Sequence, residues 1–386
     1  MNLKNDVYQG LITAALLCSV CALSTLSVGQ AVESTSNTGA SSIIVHSKFG
    51  GQIFGFDIDQ NGTEGVLSEA KSMSNGNILA AVETFDQTTG TILSVVTRTQ
   101  TQDDFLTLGV VGNSVGLVEH EHVVSFLNVQ RFFVVINPLG GNKLAGKWTP
   151  PLGTTHLLDQ VSNTQGSANN AVFAEDNSGN FIPWVFSSNV AANTFGPIVK
   201  ITDSLNFGSV PPPMAYNTVT NVAVLGGGDG CFGCLPVIGL ADLSKGTFTE
   251  FTGGGFGFVN GIAVDSADNI FVTTTEDDAS VEFYDLNTQV VTAIVVLPNS
   301  GGQQYLGGGD VEFDATNKLF LVAQPHSSTL KGSSIYVYDT KGNLQESLNG
   351  FSFLVGSGSH IAFNPSTRVG FVYGPVGVNE IQEFKY

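Results

Sequence analysis

Side chains able to do chemistry are few and scattered along the 386 residues. The densest group is HEHVV, His120 to Val124. On a strand His120 and His122 point to the same side, so the pair could share a metal at i, i+2. Two exposed histidines at a strand edge are the plainer alternative. A second group is GGGDGCFGCLPV, with Cys231 and Cys234. A redox CxxC opens a helix after a strand, and a zinc site needs a second pair or histidine partners. This stretch is Gly-rich and has neither, which leaves a small Cys231–Cys234 loop disulfide or two free thiols. A third group is spread out: Asn170 beside Asn169, Asn260, Asp310 and His360 each come just before an apolar run. They meet only if those runs converge. No GxSxG occurs, and the acidic residues lie dispersed at turns, so no nucleophile or paired-carboxylate arrangement can be read. The pieces GGGDG at 226–230, GGGFG at 253–257 and GGGD at 307–310 lack a following Lys-Ser/Thr and a helix, and read as loops rather than phosphate cradles.

The elements that must position these residues are short strands. Asn260–Leu297 holds four apolar runs, Ile262–Val264, Ile270–Thr274, Val281–Tyr284 and Val290–Leu297, divided by polar turns. Alternating Val, Ile, Phe, Tyr and Thr between such turns predicts antiparallel strands. An acidic or amide residue read as closing the first strand recurs at Asp86, Asn128, Asp176, Asn217, Asp265, Asp314 and Asn364, with separations of 42, 48, 41, 48, 49 and 50 residues. A repeat of that length with four strands per unit predicts an all-β fold, a β-propeller of four-stranded blades. One small sheet cannot bury both faces, but neighbouring blades in a ring cover each other. A sandwich gives no such spacing, and β-helix coils are shorter. Both termini carry incomplete units: IIVHSK, QIFGFDID and GVLSEA near the start, and IAFN, VGFVYG and EIQEFKY at the end. One blade completed from both termini would remove two open edges. Seven anchors favour seven blades, and a surplus of one or two strands leaves six or eight open.

In such a ring the innermost strands line a central channel. His120, His122, Asn170, Asn260, Asp310 and His360 would then surround one mouth of it, where a cation or a small polar ligand could bind. A wet, polar mouth without a metal is the plainer reading, and no cofactor is certain; a metal site there would take calcium or another divalent cation, with Asn260 as neutral ligand and Asp310 as anionic ligand.

Lys4, the apolar run Leu11–Leu23 and the small-residue stretch ending at Ala31 have the shape of a secretory signal peptide. An uncleaved anchor is the alternative. Residues 1–31 are therefore read as signal, 32–42 as a polar linker and 43–386 as a single domain, secreted or periplasmic and monomeric. Cys18 and Cys21 fall in the signal. The net charge of −19, from 33 acidic and 14 basic residues, argues against nucleic acid and anionic membrane surfaces as partners. No membrane span is expected in the mature chain, and the partner is an unknown small molecule or protein.

VNGIAVDSADNIFV resembles the repeat core of NHL-type propellers and of the gluconolactonase/regucalcin family. That resemblance implies a divalent metal in the channel, held by a Glu, two Asn and an Asp at blade mouths. Asn260 before Gly261 matches one Asn, and Asp310 lies where the Asp would fall one blade later. Here the order is Gly309-Asp310-Val311, shifted by one from the family's Asp-Gly, and the Glu-bearing segment has no counterpart. IIVHSKFGGQIFGFDIDQNGT resembles the opening of seven-bladed lactonase-type propellers. Two functions follow as expectations. One is an exported scaffold for a ligand or protein; the other is a metal-dependent, lactonase-like hydrolase.

Overall fold

The structure is a computed structural model. It describes residues 40–59, 63–74, 78–100, 108–111, 115–125, 128–137, 143–148, 154–162, 169–176, 183–189, 194–200, 213–228, 234–255, 257–275, 280–297, 308–324, 333–351, 360–373 and 380–386. Among them are seven four-stranded antiparallel sheets and no helix. The first strands of the seven sheets are Gln52–Ile58, Leu108–Val111, Thr154–Ser162, Met214–Asn217, Val259–Asp265, Val311–Asp314 and His360–Asn364. Each touches the next, and the seventh touches the first, so the ring closes around one axis. The fold is a β-propeller, and the sheets are called blades 1 to 7 in that order.

Closure is made by one strand. Ala40–His46 pairs with Glu380–Lys385 as the outermost strand of blade 7, in register Val45 to Ile381 and His46 to Glu380. It begins inside the stretch read as linker. The surplus of strands disappears, because QIFGFDID and GVLSEA open blade 1, which Ile78–Asp86 and Ile92–Gln100 complete.

The hydrophobic core lies between blades. In Leu319–Gln324 of blade 6, Phe320 and Val322 face blade 5, where they meet Phe283 and Val272. Leu321 and Ala323 face blade 7, where they join Phe363, Val372 and Phe384. Successive side chains point to opposite faces, and both faces are covered. A middle strand therefore reads as a continuous apolar run instead of an alternating one. Aromatic rings fill the wedge: Phe283 meets Phe320 edge to face at 5.6 Å, and Phe85 meets Phe371 at 5.2 Å across the closing seam. Each fully buried Phe contributes about 1.5–3 kcal/mol by removal from water.

The recurrent acidic or amide residue is a turn device. Oδ1 of Asn217, Asp265, Asp314 and Asn364 each accepts two backbone N–H bonds from the residues two and three positions on. The fourth residue on, Asn221, Asn269, Lys318 or Arg368, then adopts a left-handed φ of 55–59°. These Asx turns join first and second strands. The same device joins third and fourth strands at Asp86, Asp242 and Asp285, followed by Gly90, Gly246 and Gln289 at positive φ. That corrects the sequence reading in the first half of the chain. Asp86 closes the third strand of blade 1, Asn128 opens the third strand of blade 2, and Asp176 closes the second strand of blade 3. The turn at Asp86 specifies a hairpin but not which hairpin of the blade, so there the repeat length was right and its phase slipped.

One of the glycine runs is also not a loop. Gly226–Gly228 lies in the second strand of blade 4, and a Cβ on Gly226 would stand 2.6 Å from Val259 of blade 5. Close blade contact requires glycine there.

Candidate functional site at the channel mouth

Asn260, Asp310 and His360 stand at the starts of the first strands of blades 5, 6 and 7. They share the end of the ring opposite the first Asx turns, as the repeat predicts. Each reaches across to a neighbouring blade. Asn260 Nδ2 donates to the Gly308 carbonyl at 3.0 Å, and Thr274 Oγ1 donates to the Gly309 carbonyl at 2.5 Å. Asp310 Oδ2 accepts the Ile361 backbone N–H at 2.8 Å and pairs with His360 Nδ1 at 3.0 Å. A Cβ on Gly261 would lie 2.6 Å from the Gly309 carbonyl oxygen and 2.7 Å from Val311 N, so backbone meets backbone at this seam.

His360 is the electrostatic centre of the mouth. Its side chain is 38% exposed, and its ring meets Phe56 of blade 1 edge on at 5.1 Å. Desolvation pulls its pKa down, but the hydrogen bond and charge of Asp310 and the charges of Glu312 and Asp57 outweigh that and raise it to about 9. At neutral pH it is an imidazolium among carboxylates from blades 6 and 1. Asp57 and Glu312 were missed by sequence reasoning. They lie within first strands, and nothing local distinguishes them from other acids near turns.

The other sequence candidates do not join this mouth. His120 and His122 lie on Val115–Ser125, the second strand of blade 2, opposite Phe132 and Gln130. Asn170 lies on the second strand of blade 3, between Ser162 and Ser188. All three are one strand out from the channel lining, because the anchors used to place them were out of phase. Cys234 is disulfide-bonded, and Cys231 lies outside the described residues. Residues 1–31, read as a signal, also lie outside them. Among the described residues, no three His, Cys, Asp or Glu side chains form a metal-ligand group, and no helix is long and apolar enough to cross a membrane.

A second polar cluster, unmarked in the sequence, lies at the closing seam. Glu69 and Glu83, both fully buried in blade 1, receive the segment that enters it from blade 7. Glu69 Oε2 accepts Ser47 Oγ–H at 2.5 Å and Gly51 N–H at 3.0 Å. Glu83 accepts Lys48 N–H at 3.1 Å and Phe49 N–H at 2.8 Å.

No family model and no curated protein matches the sequence. Solved structures do. The structure of U3-55K superposes with a TM-score of 0.59 at 13% identity, over 90% of this chain and 100% of that one. Raptor from Chaetomium thermophilum superposes with a TM-score of 0.59 at 12% identity, over 89% of this chain and 28% of that one. Both are of the WD40/β-propeller type, so this chain is similar to them in fold, as a β-propeller.

Proposed function

We propose that this chain is an exported β-propeller acting as an interaction scaffold for a protein partner. The observation that carries the reading is the use of the mouth side chains. Asn260, Asp310 and His360 tie one blade to the next, so the mouth is built as a rigid rim. The propeller-type neighbours support a scaffold role, and the apolar N-terminal segment supports export. In an exported chain, a Cys231–Cys234 disulfide would rigidify a loop of blade 4.

The second reading is the metal-dependent, lactonase-like hydrolase, favoured by Asn260 and Asp310 standing on adjacent blades. A calcium ion there would polarise a carbonyl oxygen as a Lewis acid. The residues present fit such an ion poorly. Asp310 already holds an imidazole whose pKa is raised to about 9, and a second cation beside that charge is repelled.

The experiment is a thermal melt with Ca²⁺ or chelator, plus lactone hydrolysis, on wild type and Asp310→Ala. The scaffold reading expects no turnover and a melt indifferent to both additions. A chelator-sensitive melt and a turnover, both lost in Asp310→Ala, would establish the hydrolase. Cross-linking then tests the scaffold directly: partners should be lost on substitution at the Asn260–Asp310–His360 face and kept on Lys245→Glu and Lys341→Glu, in the turns after Asp242 of blade 4 and Asp339 of blade 6.

A further inference from the structure

We propose that the Glu69–Glu83 pair is a proton-operated latch on the segment that closes the ring. Residues 47–51 run from the outermost strand of blade 7 to the innermost strand of blade 1. They are the only covalent link between the closing strand and the first blade, and the two carboxylates receive four of their donors.

The geometry favours a proton at low pH. Leu67 pairs with Glu83 and Glu69 with Ala81, so the two acids are diagonal neighbours on one face of the sheet. The charge of Glu83 bears on Glu69 across this diagonal. Glu69 Oε1 is buried and has no donor. Two buried carboxylates so placed repel each other, and a proton on one of them relieves that cost. Among the described residues no cation replaces it. Lys48 Nζ donates to the Ile92 carbonyl at 2.9 Å, and Lys71 Nζ donates to the Phe49 carbonyl at 2.7 Å. His46 is paired with Glu380 at 3.1 Å, and His360 of blade 7 is turned to Asp310. From blade 2, the adjacent first strand Leu108–Val111 has no titratable side chain.

Burial, then the charge of Glu83, raise the Glu69 pKa from 4.5 to about 7, against the lowering hydrogen bonds of Ser47 and Gly51. The folded pKa lies above the unfolded one, so the grip is full below pH 4.5 and is lost as pH rises through about 7. A segment that opens to give Glu69 its ordinary pKa should open about tenfold more often at pH 8 than at pH 6.

Hydrogen exchange of peptides covering residues 40–51 tests this in the full chain, after correction for the intrinsic pH dependence of exchange. Wild type should show the roughly tenfold excess. Glu69→Gln, which mimics the protonated acid, should abolish it. Ser47→Ala removes a bond that favours the ionised form and should move the transition to higher pH. Wild-type exchange that follows the intrinsic rate alone, or a Glu69→Gln profile like wild type, overturns the latch. Should Glu69→Gln fail to fold, Ser47→Ala decides: a transition displaced upward supports it, and an unmoved one refutes it.

Discussion

Lys318 offers the sharpest test of how the blades are held on the Asx-turn face. It sits at the left-handed position of the first turn of blade 6, with φ 58°. Its Nζ reaches back to blade 5 and contacts Asp265 Oδ1 at 2.9 Å and Oδ2 at 3.0 Å, with Asp268 at 3.2 Å. Asp265 is fully buried, whereas Lys318 is 43% exposed. Lys318→Met keeps the stem and removes the charge. Asp265 then keeps only two N–H bonds, from Ala267 and Asp268 of its own turn. Removing one partner of a wholly buried pair costs about 3–5 kcal/mol. Water reaches the lysine end, so about 2 kcal/mol is expected here. For a domain of this size that is a melting shift of about 3 °C, from roughly 2 cal/mol/K of unfolding entropy per residue. The double variant Asp265→Asn/Lys318→Met should recover most of the loss. Asn217 and Asn364 make the same turn with an amide, and Asn leaves no buried charge. Urea unfolding and thermal melts of wild type, both singles and the double measure the coupling. A Lys318→Met variant within about 0.5 kcal/mol of wild type, or a double variant weaker than the single, would refute the reasoning.

Three further outcomes are expected. His360 has a folded pKa near 9 against 6.5, so its contribution is full below 6.5 and lost as pH rises through 9; urea midpoints at pH 6.5, 8 and 9.5 should fall in wild type and flatten in His360→Asn. Gly261→Ala puts a Cβ against backbone atoms of blade 6 and should cost about 2–3 kcal/mol, read as a lowered denaturant midpoint, since neither strand can yield alone. Tyr386→Phe removes the hydroxyl that donates to Asp314 Oδ2 at 2.8 Å between blades 7 and 6, and should cost about 1.5 kcal/mol by the same measurement.

The sequence by itself determined what is local. Alternating apolar residues between Asx turns specify hairpins, because each Asp or Asn satisfies the N–H groups just after it within a few residues of chain. Four hairpin-linked strands per repeat, and the burial that such sheets need, then imply the ring. From residue 214 on, where every first strand ends in an Asx turn, Asn260, Asp310 and His360 could be placed correctly. Tertiary structure alone decided the phase of the first three repeats, since in blades 4 and 5 the same turn serves two hairpins. It also decided which strand makes the closure expected from the two termini, because Ala40–His46 finds its partner Glu380–Lys385 across the whole length of the chain. The chemistry of the mouth follows the same division. That His360 is charged depends on Asp310, Glu312 and Asp57 from two other blades, and that the Glu69 pKa is raised depends on burial and on Glu83. Charge and desolvation act through space between residues that no local pattern connects.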